Sequence, residues 1–278
     1  MFHPQTAPCE APGQDPLGRW PALVERWPGS DGRAGVVIIC EHGSNRTAAP
    51  WGDLGLDAEG WAAHVAWDIG ALGLARGLAE RMAPACGGAV LVHAPLSRLI
   101  YDLNRAPGHA GAMPERSEIH DVPGNRALTP QARQHRLDAV YLPFHATLHA
   151  EIARLLVQGI RPALIAVHSF TPVWFGNRRS VEFGVIHDDD PALSMSVMAA
   201  SRGCGLQTRL NEPYSAEGDV THTIRLHAGP CRLANTMLEI RNDLIADAGA
   251  QVGMAGRLAP VLIDAMAATE ATACLVPG

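Results

Sequence analysis

The sequence predicts an α/β domain built on a largely parallel or mixed sheet. Three observations carry this reading. Short apolar runs rich in β-branched residues alternate with longer segments whose apolar residues recur at helical spacing. No internal repeat or low-complexity linker divides the chain. Chemically versatile side chains gather just after the apolar runs, where open α/β sheets bind their ligands.

Residues 1–33 are rich in Pro and Gly and are expected to form an irregular N-terminal arm, with residues 34–278 as one catalytic domain. "VVIIC" (36–40) reads as the first strand, and it runs directly into Glu41 and His42. "AAHVAWDIGALGLARGLAERM" (62–82) reads as the first long helix, and "AVLVHAPLS" (89–97) as a second strand. A long amphipathic helix is expected over 129–158, with Thr129 as its cap, Pro130 at the first helical position and a kink at Pro143. Strands are predicted at 162–170 and 180–188, and a helix at 191–203 stopped by Gly203. A last strand at 236–245 leads into a helical region near 247–268.

Composition narrows the chemistry. A net charge of −6 argues against a general nucleic-acid binder. No apolar run is expected to approach the roughly 20 residues of a membrane span, and the N-terminus lacks the basic and apolar regions of a signal peptide. A cytoplasmic enzyme is therefore expected. The six cysteines form no C-x-x-C pair and read mostly as core fillers. All 22 basic residues are arginine. Without lysine there is neither a Schiff base nor a phosphate-loop lysine.

Four segments deliver polar side chains to the predicted strand ends. His42 and His168 each follow an apolar strand, and Asp68 interrupts an apolar helical pattern. Two imidazoles and a carboxylate with an open position make a catalytic zinc site. The alternative is a pair of hydrogen-bonded core histidines with Asp68 paired to an arginine. In "YDLNR", Asn104 and Arg105 have the donors to grip a carboxylate, and Asp102 is placed to orient Arg105 or Arg98. Glu239, between Leu238 and Ile240, suits a general base, unless it points to solvent. His64 and His109 have no distinctive context. His120, His187, His222 and His227 fall in loop-like stretches that face a cleft or solvent, and His145 reads as structural.

Taken in order, "CEHGSNR", "HVAWDIGALGLARGLAE", "SRLIYDLNRAPGH", "VPGNRALTPQAR", "YLPFHATL", "VHSFTP", "NEPYS" and "LEIRNDLI" closely resemble the N-formylglutamate amidohydrolase family. The resemblance runs from about residue 36 to 268 and implies a three-layer α/β/α sandwich related to zinc carboxypeptidases and zinc-dependent amidases. It implies Zn²⁺, or Co²⁺ or Mn²⁺, on His42, His168 and Asp68. An acid three residues after the first histidine, as in carboxypeptidases, is absent, since position 45 is Asn. Glu239 matches the general base. Asn104 and Arg105 match a substrate-carboxylate pair, and Arg98 a group that polarises the scissile carbonyl. Glu41 and Asn45 would fix His42, and Arg46 would add positive charge for an acidic substrate.

The expected activity is hydrolysis of the formyl or small acyl amide of an acidic N-acyl amino acid, N-formylglutamate being the type substrate. The expected partner is thus a small anionic molecule, with neither nucleic acid nor membrane. The rivals are a metal-dependent deacylase or peptidase on other N-acyl amino acids or peptides, and a non-catalytic metal- or small-acid-binding protein.

Overall fold

Seven strands, β1 (Leu23–Pro28), β2 (Val36–Cys40), β3 (Gly88–His93), β4 (Ala163–Phe170), β5 (Phe183–Ile186), β6 (Thr208–Leu210) and β7 (Asn235–Arg241), pair in the order β1-β3-β2-β4-β7-β5-β6. They belong to a computed structural model that describes residues 13–29 and 34–273. The central strands β3, β2, β4 and β7 are parallel. β1 runs antiparallel to β3, and β5 antiparallel to β7 with β6 parallel beside it. The carboxyl ends of β2, β4 and β7 therefore open onto one rim.

Side-chain alternation on the strands builds two cores, as a sheet covered on both faces requires. On β2, Val36, Ile38 and Cys40 face one way, into a layer with Leu74, Leu78 and Met82 of helix α2 (Ala71–Met82) and with the C-terminal helix α7 (Ala248–Ala273). Val37 and Ile39 face the other way, toward Phe144, Leu148 and Ile152 of α4 (Leu142–Val157). The fold is thus a three-layer α/β/α sandwich. Leu74, Leu78 and Met82 are fully buried. Each contributes about 1.5–3 kcal/mol of burial free energy, and Leu78→Ala would cost about 2–5 kcal/mol. Over Ala248–Thr269, α7 is long and apolar enough to cross a membrane, with a mean hydropathy of 1.2. Its apolar side instead packs on α2 and on α5 (Ala192–Ala200).

The arm expected over 1–33 is not wholly irregular, because Leu23–Pro28 extend the sheet along β3 from Leu23↔His93 to Pro28↔Gly88. Residues 1–12 and 30–33 lie outside those described. The helix expected over 62–82 is split into α1 (Ala58–Ala62) and α2. The chain leaves α1 at Ala63 in an extended conformation, and Gly70 starts α2 with a left-handed φ of 80°, against Ile245 O where a Cβ would have no room. Helix α3 (Pro130–Arg136) starts as predicted, with Thr129 Oγ1 accepting from Ala132 N at 3.1 Å. The run is not one regular helix, because a π turn over Leu137–Tyr141 separates α3 from α4 just before Pro143, which brings no N–H to the helical ladder. The second strand stops at His93, before Pro95, and the last at Arg241. The short edge strand β6 had no sequence signal. Of the described cysteines only Cys40 is fully buried, so the core-filler reading fits that one.

Candidate metal centre and active site

β2 ends by placing Glu41 and His42 at the rim, β4 places His168 there, and β7 places Glu239. Glu239 lies directly across from His168 in the β7–β4 register. Asp68 reaches the same point from the connection before α2, not from a helix. Its backbone N–H donates to His42 O at 2.8 Å, which pins the connection to the end of β2.

The three side chains converge. His42 Nδ1 lies 3.4 Å and His168 Nδ1 2.8 Å from Asp68 Oδ2. Their ligand atoms all fall within 4.8 Å of one another, and all three residues are buried. Donors about 2.1 Å from a tetrahedral zinc stand about 3.4 Å apart. The second nitrogen of each ring faces another carboxylate. His42 Nε2 is 2.8 Å from Asp102 Oδ1, and His168 Nε2 is 3.2 Å from Glu41 Oε2. The Asp102 hydrogen bond fixes the orientation and tautomer of His42, as in carboxylate–histidine–metal arrangements, whereas Glu41 faces His168 as an ion pair without a hydrogen bond. His42 Nδ1 is buried without a hydrogen-bond partner. This donor set fits a divalent cation.

Arg98 ties the carboxylates together. Its Nη1 donates to Asp68 Oδ1 at 3.1 Å, and its Nη2 and Nε donate to Asp102 Oδ2 at 2.6 and 3.2 Å. Burial opposes ionisation of Asp68 and Asp102, but His42 and Arg98 hold both well below the usual carboxylate range, helped at Asp68 by His168. Glu41 is fully buried, yet His168 beside it holds its pKa at about 2. Conversely, Glu41 and Asp68 raise His168 well above the ordinary histidine range against the effect of burial. Glu239 differs: burial dominates and raises its pKa to about 7, and its Oε2 has no hydrogen-bond partner.

These residues open into a cavity of about 310 Å³. Asn104 and Arg105 line it. The Asn104 amide is engaged with α6 (His222–His227) and the loop before it, donating to Val220 O and accepting from Thr223 N at 2.9 Å. The Arg105 guanidinium donates to the carbonyls of Asn104 and Asp219, at 3.1 and 2.7 Å, and has no carboxylate partner among the described residues. Of the two partners expected for Asp102, the structure pairs it with Arg98. Two expectations need correction. Glu41 and Asn45 do not fix His42: Glu41 faces His168, and Asn45 Nδ2 donates to Trp61 O at 3.1 Å. Arg46 lies outside the cavity, because Ser44 Oγ accepts its N–H at 3.1 Å and the turn carries its side chain to the surface.

His64 and His109 do line the cavity, although nothing local in the sequence marked them; Trp174 and Tyr214 join them. His120, His187, His222 and His227 do not. His227 instead sits with His145 behind the site. His145 Nε2 is 3.0 Å from Leu103 O, and its Nδ1 is 2.9 Å from His227 Nε2. The carbonyl accepts, so the first ring donates there and accepts from the second.

A profile of the N-formylglutamate amidohydrolase family matches residues 34–246. The chain belongs to this family. It is a hydrolase acting on an amide bond. The gene product Atu2144 of Agrobacterium tumefaciens has a similar structure, with 42% identity and a TM-score of 0.85 over 91% of this chain and 97% of that one. The N-formylglutamate amidohydrolase of Ralstonia eutropha JMP134 superposes with a TM-score of 0.61 at 17% identity, over 91% of this chain and 99% of that one. No curated protein sequence matches.

Proposed function

We propose that this member of the family is a cytoplasmic, metal-dependent amidohydrolase that removes a formyl or small acyl group from an N-acyl amino acid, with N-formylglutamate as the type substrate. The observation that carries the reading is the placement of Glu239. A buried carboxyl with a pKa near 7 and one unpartnered oxygen stands across the strand pair from His168, in the cavity that holds His42 and Asp68. A protein that only binds has no need of such a base.

His42, His168 and Asp68 would hold Zn²⁺, with Co²⁺ or Mn²⁺ able to use the same donors. When bound, the ion supplies Lewis-acid polarisation of the scissile carbonyl and acidifies water. Glu239 takes the proton of the attacking water and delivers it to the amide nitrogen as the C–N bond breaks. The products are a carboxylate and a free amino acid. Asp102 and Glu41 hold the two imidazoles. Arg98 fixes Asp68 and Asp102 with three of its five N–H bonds, and the other two serve the carbonyl oxygen. Arg105, uncommitted to any protein carboxylate, receives the substrate's own.

Metal analysis of the purified chain and a hydrolysis screen of N-formyl, N-acetyl and N-formimino amino acids test this reading. Hydrolysis should stop with a chelator and return with Zn²⁺. A chain that binds no divalent ion, or hydrolyses these amides equally well without one, refutes it.

A further inference from the structure

The cavity has two chemically different ends. Arg98, Asp102 and Arg105 come from the segment that follows β3. At the other side of the sheet order, beyond β2 and β4, stands Glu239 on β7. On that side the cavity wall is aromatic. Phe170 closes β4 and is paired with Arg241 of β7, Trp174 follows on a short hairpin, and Tyr214 lies in the loop after β6, where the Glu239 charge adds to burial in raising its pKa.

These three rings are fastened to one another by a side chain outside the cavity lining. The Arg179 guanidinium carbon lies 5.5 Å from the Phe170 centroid and 5.1 Å from each of the Trp174 and Tyr214 centroids. It also donates to Tyr214 Oη at 3.1 Å, and Arg241 Nη1 donates to the Arg179 carbonyl at 3.4 Å. At Gly184, across from Glu239, an added Cβ would lie 2.1 Å from Glu212 O, so the missing side chain lets the Tyr214 loop approach. Trp174 is held from its other side as well. The His64 ring meets it edge-on at 5.7 Å, and His64 Nε2 lies 3.4 Å from Glu118 Oε2, whose partner oxygen accepts from Phe175 N at 3.2 Å.

A formyl group carries only hydrogen beyond its carbonyl carbon and would leave such a wall against water. Apolar walls with a few fixed polar groups are the usual lining of a pocket for an apolar ligand part. We infer that Phe170, Trp174 and Tyr214 form an acyl-group subsite, and that the acyl range of this enzyme extends past the formyl of the type substrate to larger planar or apolar acyl groups. The inference rests on the hydrolytic reading above, with the substrate carboxylate at Arg105 and the acyl group on the Glu239 side.

The test is kcat/KM for N-formyl-, N-acetyl-, N-butyryl- and N-benzoyl-L-glutamate with the metal-loaded full chain and with Trp174→Ala. The wild type should favour the benzoyl over the formyl substrate by about tenfold or more, the scale on which hydrophobic pockets discriminate. Trp174→Ala should erase that preference by lowering kcat/KM for the benzoyl substrate more than for the formyl one, and Trp174→Phe should keep most of it. If Trp174→Ala fails to fold, Arg179→Gln, which unpins the rings from behind, should reduce the same preference. A wild type that prefers formyl, or a variant that slows all four substrates alike, overturns the subsite and leaves the hydrolase standing. A wild type that cleaves none of them overturns the hydrolase and the subsite together.

Discussion

Asp102→Asn tests the idea that His42 is held for a cation by the acid behind it. Asp102 is buried and accepts four hydrogen bonds, from His42 Nε2 at 2.8 Å, Asn104 N at 3.0 Å, and Arg98 Nη2 and Nε at 2.6 and 3.2 Å. An amide of the same shape has one accepting oxygen. If that oxygen stays with His42 and Asn104, the new NH₂ faces the Arg98 donors. If it flips, the NH₂ faces the His42 N–H. Either way two buried donors meet, and Arg98 keeps only Asp68 as counter-charge. Losing such a partner behind a metal-binding histidine lowers metal affinity about 10–100-fold, or about 1.4–2.7 kcal/mol. The assay is Zn²⁺ competition against a chromophoric chelator at fixed pH, with circular dichroism to confirm the fold. Asp121→Asn is the control, since that carboxylate also meets two arginines but at the exposed surface. Wild-type zinc affinity in a folded Asp102→Asn chain would refute the argument.

Glu239→Gln should lower turnover about 10²–10⁴-fold while metal content holds; loss of the metal would instead make Glu239 a ligand. Arg105→Lys keeps the charge but loses the fork, so kcat/KM should fall on an acidic substrate and not on its amide, and equal losses on both would return Arg105 to a structural role. Acid should weaken the fold through His145 and His227, whose burial lowers their pKa values to about 3 and about 4. The unfolded chain takes up these protons first, near pH 6.5, so stability falls as pH drops below that value. By pH 5 each histidine costs about 2 kcal/mol. Urea unfolding of wild type and of a His145→Gln, His227→Gln double variant should show a steeper slope in the first than in the second, the remainder coming from His64, His93 and His222, whose burial also lowers their pKa values.

Much of the site was legible because strand ends are legible. His42, His168 and Glu239 each stand at or just past an apolar run, and parallel strands bring such positions to one rim. The position of Asp68 was harder to read. Its apolar neighbours have helical spacing, but the chain turns extended at Ala63 and re-enters a helix only past the positive φ of Gly70, which leaves Asp68 on a connection facing the histidines. The assignment of acids to imidazoles was not legible either. Glu41 adjoins His42 in sequence, but consecutive residues at a strand end point apart, so Glu41 reaches His168 and leaves His42 to Asp102, sixty residues away. Arg46 shows the same limit in reverse, since one turn at Ser44 decides whether it faces the cavity. His64, His109 and Trp174 enter through loops whose paths follow from long-range contacts such as that between Glu118 and Phe175.

Charge balance explains why these loops and strands meet as they do. Glu41, Asp68 and Asp102 are buried and held in the anionic form, against the one guanidinium of Arg98. His168, raised well above the ordinary histidine range between Glu41 and Asp68, supplies a second positive charge, so the set keeps one net negative charge. Glu239 gives the comparison from within the same cavity. It has no arginine within ion-pair distance among the described residues, and there burial prevails and lifts its pKa to about 7. A carboxylate in this environment is thus anionic only with a cation against it. Asp68 and Asp102 meet that condition through one residue, because the planar fork of Arg98 spans both. A lysine at position 98 would offer a point charge to one acid at a time. The arrangement therefore keeps two acids charged beside the histidines and leaves a third near neutrality.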